Sequence, residues 1–129
     1  MLTITSLLNA PLGRPGIQVN GPNMFALPAS DSINHVSLAA GVAKTFTVPA
    51  DARILLFASA KSDGTAQRFY ARYYGGAAVV PVGDVTNGAG SEDTPVLRDV
   101  TGLATISLIS AAACIVTITS YSYPASTGY

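Results

Sequence analysis

The sequence predicts an all-β fold: a single antiparallel β-sandwich or jelly-roll-like barrel with an extended N-terminal arm. Three observations lead there. From His35 onward, short runs rich in Val, Ile, Thr, Tyr and Phe recur between turn residues, at the spacing of a sandwich or barrel. No stretch long enough for a helix keeps an apolar period near 3.6 residues. The N-terminal region is broken by Pro11, Pro15, Pro22 and Pro28 and by Gly13, Gly16 and Gly21, which excludes both a regular helix and a central strand. The expected division is an arm over 1–34, a β-domain over 35–123 and a tail over 124–129. A chain of 129 residues is large enough to form one domain that buries about two-thirds of its unfolded surface.

Taken in order, the β-domain should hold about six or more strands. The first lies near His35–Leu38 and the second near Val42–Val48, joined at Ala39-Ala40-Gly41 and ended by Pro49. Arg53–Ala60 is nearly continuously apolar (Ile54, Leu55, Leu56, Phe57, Ala58), which predicts burial on both faces at the centre of the core. The Asp63-Gly64 pair signals a hairpin loop leading into a fourth strand, Gln67–Tyr74. There the two-residue period places Phe69, Ala71 and Tyr73 on one face and Arg68, Tyr70, Arg72 and Tyr74 on the other. Gly75-Gly76 turns the chain into Ala77–Val82, a short strand that Pro81 confines to an edge. A loop from Gly83 to about Pro95 precedes a short stretch at Val96–Val100. Two strands rich in β-branched residues, Ala104–Ile109 and Cys114–Tyr123, close the domain.

Hydrophobic residues make up 49% of the chain and charged residues 11%, against roughly 25% charge in ordinary soluble domains. A surface so poor in charge predicts coverage by protein partners. Seven basic residues balance seven acidic ones, so no long-range field attracts nucleic acid or an anionic membrane. The acidic residues all lie between Asp31 and Asp99, leaving the ends neutral apart from Arg14. Pro11 and Pro15 interrupt the N-terminal apolar run, which lacks a basic start, so neither a signal peptide nor a membrane span is expected. The expected compartment is the cytoplasm until assembly.

Catalytic chemistry has little to draw on. His35 is the single histidine and Cys114 the single thiol, which rules out an intramolecular disulfide and leaves too few ligands for zinc. Cys114 reads as a small hydrophobe inside a strand. No Gly-x-Ser-x-Gly elbow occurs, and Gly88-Ala89-Gly90 lacks the third glycine of a nucleotide-binding loop. The expectation is a protein that is not an enzyme and carries no cofactor. The acidic loop with Asp84, Asn87, Glu92 and Asp93 could offer oxygens to calcium, but its spacing is not that of an EF-hand, and a solvated loop with ordinary Asx turns is the default reading.

Arg68, Tyr70, Arg72 and Tyr74 are of the residue types enriched at interfaces. Three readings of that face stay open: an ordinary exposed strand, a subunit interface, or stacking on sugar or nucleic acid. Neutral net charge opposes nucleic acid, and the absence of Trp weakens sugar. Further expected contact residues are Leu12, Arg14, Ile17 and Phe25 in the arm and Tyr121 and Tyr123 near the tail.

The stretch Val36-Ser37-Leu38-Ala39-Ala40-Gly41-Val42-Ala43-Lys44-Thr45-Phe46-Thr47-Val48-Pro49, running on through Ala50 to Ser59, resembles small structural proteins of tailed-bacteriophage virions. Gly76–Gly88 and Ile106–Thr117 are similar to the same group, so the resemblance covers most of 36–119. It implies a capsid decoration or cement protein on the capsid surface, partnered by the major capsid protein and by copies of itself as a dimer or trimer. The alternative is a tail or head-fibre component that binds a host-surface glycan through Tyr70, Tyr73, Tyr74 and the Asp84–Asp93 loop.

Overall fold

The computed structural model describes residues 17–18 and 25–122, with side chains from 27 onward. Among them there is no helix. A two-stranded antiparallel ribbon, β1 (Ile17–Gln18) with β2 (Phe25–Ala26), precedes eight strands: β3 (Ile33–Leu38), β4 (Lys44–Thr47), β5 (Ile54–Ala60), β6 (Tyr70–Arg72), β7 (Glu92–Asp93), β8 (Leu97–Asp99), β9 (Thr105–Ile109) and β10 (Cys114–Tyr121). These eight form two four-stranded antiparallel sheets, ordered β3-β10-β5-β8 and β4-β9-β6-β7.

Each sheet turns one face to a shared core, a β-sandwich-like arrangement. Val36 and Leu38, Leu55 and Phe57, and Cys114, Val116 and Ile118 come from the first sheet; Phe46, Ala71, Ile106 and Leu108 come from the second. Phe69, just ahead of β6, is the largest fully buried side chain and lies 5.7 Å from Phe57, centroid to centroid. The period-two alternation of β10 is the clearest: Cys114, Val116, Ile118 and Ser120 are buried, while Ile115, Thr117, Thr119 and Tyr121 face out.

Three expectations need correction. Arg53–Ala60 is not buried on both faces: Leu55 and Phe57 enter the core, Ile54 and Leu56 are half-buried, and Ala58 is exposed. Its apolar run continues onto the outer surface of the sheet. The strand expected at Gln67–Tyr74 shrinks to Tyr70–Arg72 because the preceding backbone is held by side chains. Ser59 Oγ donates to the Gln67 carbonyl (2.6 Å), Ser110 Oγ to that of Arg68 (2.9 Å), and Thr94 donates its N–H to that of Phe69 (2.7 Å). There the chain crosses from one sheet to the other after the turn at Lys61–Thr65, whose Gly64 sits at φ +89°. Finally, Ala77–Val82 forms no strand. The Ala78 N–H donates to Ser107 Oγ (2.8 Å), the Val79 N–H donates to Ser91 Oγ (2.9 Å), and Pro81 has no N–H. With two successive donors taken by side chains and a third missing at Pro81, the segment has no regular run of N–H groups to offer a ladder.

Candidate interaction surfaces

The outer face of the first sheet is built by the residues that alternate with its core positions. The register aligns Ile33, Thr119, Leu56 and Leu97 in one row across all four strands. Adjacent rows hold His35, Thr117 and Ala58, and Ser37, Ile115 and Ala60; a third has Tyr121, Ile54 and Asp99. Asp99, at the β8 edge, is the one formal charge in these rows. Its carboxylate accepts from the Thr101 hydroxyl and N–H, which hold it below the usual carboxylate range. Ile33 is 48% exposed and Leu97 41%. These are large values for apolar side chains on a regular sheet.

The outer face of the second sheet is occupied differently. Ser107 and Ile109 point away from the core yet are buried, and Ser107 is bonded by the Ala78 N–H. The β6–β7 connection, residues 73–91, is therefore a strap across this face. Arg72 packs against its first turn: a Cβ at Gly76, where φ is +81°, would lie 2.9 Å from the Arg72 guanidinium. The strap carries Val79, Val82 and Val85 on its exposed side, Val82 almost fully so.

The Arg-Tyr face is thus only partly a free surface. Tyr70 and Arg72 are half-buried, Arg68 is exposed and 3.7 Å from Asp93, and Tyr74 projects freely, 78% exposed. The alternation of Phe69, Ala71 and Tyr73 with these residues holds in the structure, Phe69 and Ala71 being buried and Tyr73 half-buried. Tyr121 lies on the outer face of β10. Leu12, Arg14 and Tyr123 lie outside the described residues, as do the side chains of Ile17 and Phe25.

A polar cluster that the sequence did not disclose fastens the β7 and β8 edges of the two sheets together. Glu92 of β7 pairs with Arg98 of β8, with Nε at 3.0 Å from both carboxylate oxygens and Nη2 closing a second contact, while Tyr73 Oη donates to Glu92 Oε1. The Arg98 guanidinium, then Tyr73, hold the Glu92 carboxyl below its ordinary range; burial, and next the Glu92 carboxylate, push the Tyr73 phenol well above its own. Sequence separation hid this triad, since nothing local links Tyr73 to Arg98.

Other chemistry is dispersed. Cys114 faces the core, whereas His35 is on the outer face with Nδ1 3.0 Å from Thr117 Oγ1, so thiol and imidazole lie on opposite sides of the sheet. In the acidic loop, Asp84 is exposed, Glu92 is held by Arg98 and Asp93 faces Arg68. Among the described residues no three His, Cys, Asp or Glu side chains converge on a metal position, and no helix is long and apolar enough to cross a membrane. An open cleft of about 410 Å³ lies at one end of the sandwich between Pro28–Ser32, Pro49–Ala52 and Ser120–Ser122. Searches of protein-family models, curated proteins and solved structures find no match to this chain.

Proposed function

We propose that this chain is a structural virion protein of a tailed phage, one that decorates and stabilises the capsid by packing against the major capsid protein and against copies of itself. The observation that carries this reading is the outer face of the first sheet: a four-stranded surface of Ile33, Ile115, Ile54, Leu56, Leu97 and threonines, with a single charge at its margin. Burying such a face removes apolar area from water and desolvates almost no charge. The exposed valines of the strap give the opposite side a second apolar contact, as a subunit with neighbours on more than one side requires.

Strand order supports the same conclusion. Counting β3 to β10 as one to eight, the sheets run 1-8-3-6 and 2-7-4-5, which is the double-Greek-key order of a jelly roll. Capsid and lectin domains both use that architecture, so the fold suits the cement reading. The glycan alternative is weaker here, because Tyr73 is engaged by Glu92 and Tyr70 is half-buried, leaving Tyr74 as the exposed aromatic. In this reading the protein has no catalytic step.

The test is add-back to phage capsids assembled without it. The wild-type chain should co-sediment with them and raise their survival on heating, and Leu56→Asp should lose both effects while remaining folded. Capsids that neither bind nor gain heat resistance would sink the proposal, and binding to host glycans by the same preparation would put the lectin reading in its place.

A further inference from the structure

We infer that the free edge of β3 is a self-pairing edge, through which two copies of this chain join their first sheets into one continuous eight-stranded sheet about a two-fold axis. The inference deepens the proposed function by naming the surface of its self-contact, and it rests on the self-packing part of that reading alone.

The backbone direction of β3 follows from one bond. Ser120 donates its N–H to the Ser32 carbonyl at 2.8 Å, so the even-numbered residues of this segment bond to β10 and the odd-numbered ones point their N–H and C=O groups away from it. Ile33, His35 and Ser37 therefore present an open half-ladder. The one contact on it among the described residues is Lys44 Nζ to the Ser37 carbonyl at 3.2 Å, which leaves that oxygen a second lone pair.

The other edges of the two sheets are guarded. β7 is Glu92-Asp93, tied up by Arg98 and Arg68; β8 is Leu97-Arg98-Asp99; and β4 begins on Lys44. Short length and charge are the usual protections of an edge strand. β3 has neither in its own residues: it is six residues long, Ile-Asn-His-Val-Ser-Leu, without Pro, Lys, Arg, Asp or Glu, and the one charge brought to its edge is the Lys44 ammonium at the Ser37 carbonyl, near one end of the strand. An edge of this kind is a template for another strand.

A second copy of β3 fits it by symmetry. In an antiparallel pair centred on His35, Ile33 lies opposite Ser37 of the second copy, His35 opposite His35, and Ser37 opposite Ile33, so each of the outward-facing residues meets another with the same free donor and acceptor. All three become hydrogen-bonded pairs, and the contact is isologous, as a two-fold dimer requires. The outer faces of the two first sheets, whose one charge, Asp99, lies at the far β8 edge, then become contiguous, and β3 itself carries no like charges to oppose their approach.

Sedimentation of the full chain from about 1 µM to 1 mM, the range for a contact smaller than a standard interface, tests this. The wild type should dimerise. His35→Pro should be monomeric with unchanged circular dichroism, because its missing N–H is one that β10 does not use. His35→Cys should oxidise to a covalent dimer, since hydrogen-bonded antiparallel partners sit about 5.5 Å apart at Cα, inside the disulfide range; this variant decides the matter if the proline variant does not fold. A wild type that stays monomeric, including because its own N-terminal segment covers the edge, overturns the inference. So does a folded His35→Pro that still dimerises, or a His35→Cys that does not cross-link. A dimer that ignores capsids overturns the virion reading and leaves this one standing.

Discussion

The two sheets draw on one core but finish their outer faces in opposite ways. The second sheet is covered by its own chain, with Ala78 anchored on Ser107 and Arg72 against the Gly75-Gly76 turn. The first presents Ile33, Leu56, Leu97 and Ile115 with no described segment over them. An intramolecular strap satisfies a sheet face within the folding unit, while a bare face with one charge at its margin is, under the proposed function, the face that another molecule would cover. The contrast therefore separates the side that folding completes from the side that the proposed function assigns to assembly.

The largest way to break the contrast is to remove what the two sheets share. Phe69→Ala leaves a cavity against Phe57 where both sheets meet and should cost about 3–5 kcal/mol, seen as a lower denaturant midpoint with both sheets lost together. A two-step unfolding curve would show that the sheets are separable units. Next in size is the strap. Ser107→Ala removes the acceptor for a buried N–H and should cost about 1–3 kcal/mol, with amide exchange at Ala78 and Val79 accelerated ahead of the core. Uniform acceleration would mean that the strap has no independent opening.

Glu92→Gln should cost about 1 kcal/mol, less than a fully buried charged bond because the Glu92 side chain is one-third exposed. The sign of its pH dependence follows from the lowered folded-state value. The stabilisation is fully present above the unfolded glutamate pKa of about 4.3 and is lost as pH falls through the lower folded value. Tyr73 acts in the other direction: its raised value contributes stability below an unfolded pKa of about 10 that is lost as pH rises beyond it. Melting of wild type and Glu92→Gln should therefore differ at neutral pH and converge in strong acid. The smallest effect on stability belongs to the bare face: Leu97→Thr should stay within about 0.5 kcal/mol of wild type in unfolding and yet weaken association.

The strands with a strong two-residue period were legible in the sequence. Ile106 and Leu108 in β9, and Val116 and Ile118 in β10, lie in the core as their spacing predicts, because alternation and β-branching act within a few residues of chain. Arg53–Ala60 was misread on its second face, since an apolar run has the same pattern whether its outer side meets the core or a partner. Ala77–Val82 was misread because Val79, Val80 and Val82 have strand propensity, while Ser107 and Ser91, which hold its N–H groups, lie far along the chain. Of the Arg-Tyr face, the alternation was legible. That Tyr73 belongs to a triad with Glu92 and Arg98 was not.

Pattern and composition by themselves determined that the described β-domain would fold with strands and no regular helix, and that few charges would be left for its surface. These depend on local sterics and on residue counts, which need no knowledge of what lies nearby. Only the tertiary structure decided which sheet face is strapped, which edges are fastened by Glu92 and Arg98, and that β3 has an open half-ladder among the described residues. Those outcomes come from pairings between distant residues, and the physical terms that select them, register and shared burial, exist only once the chain has closed on itself.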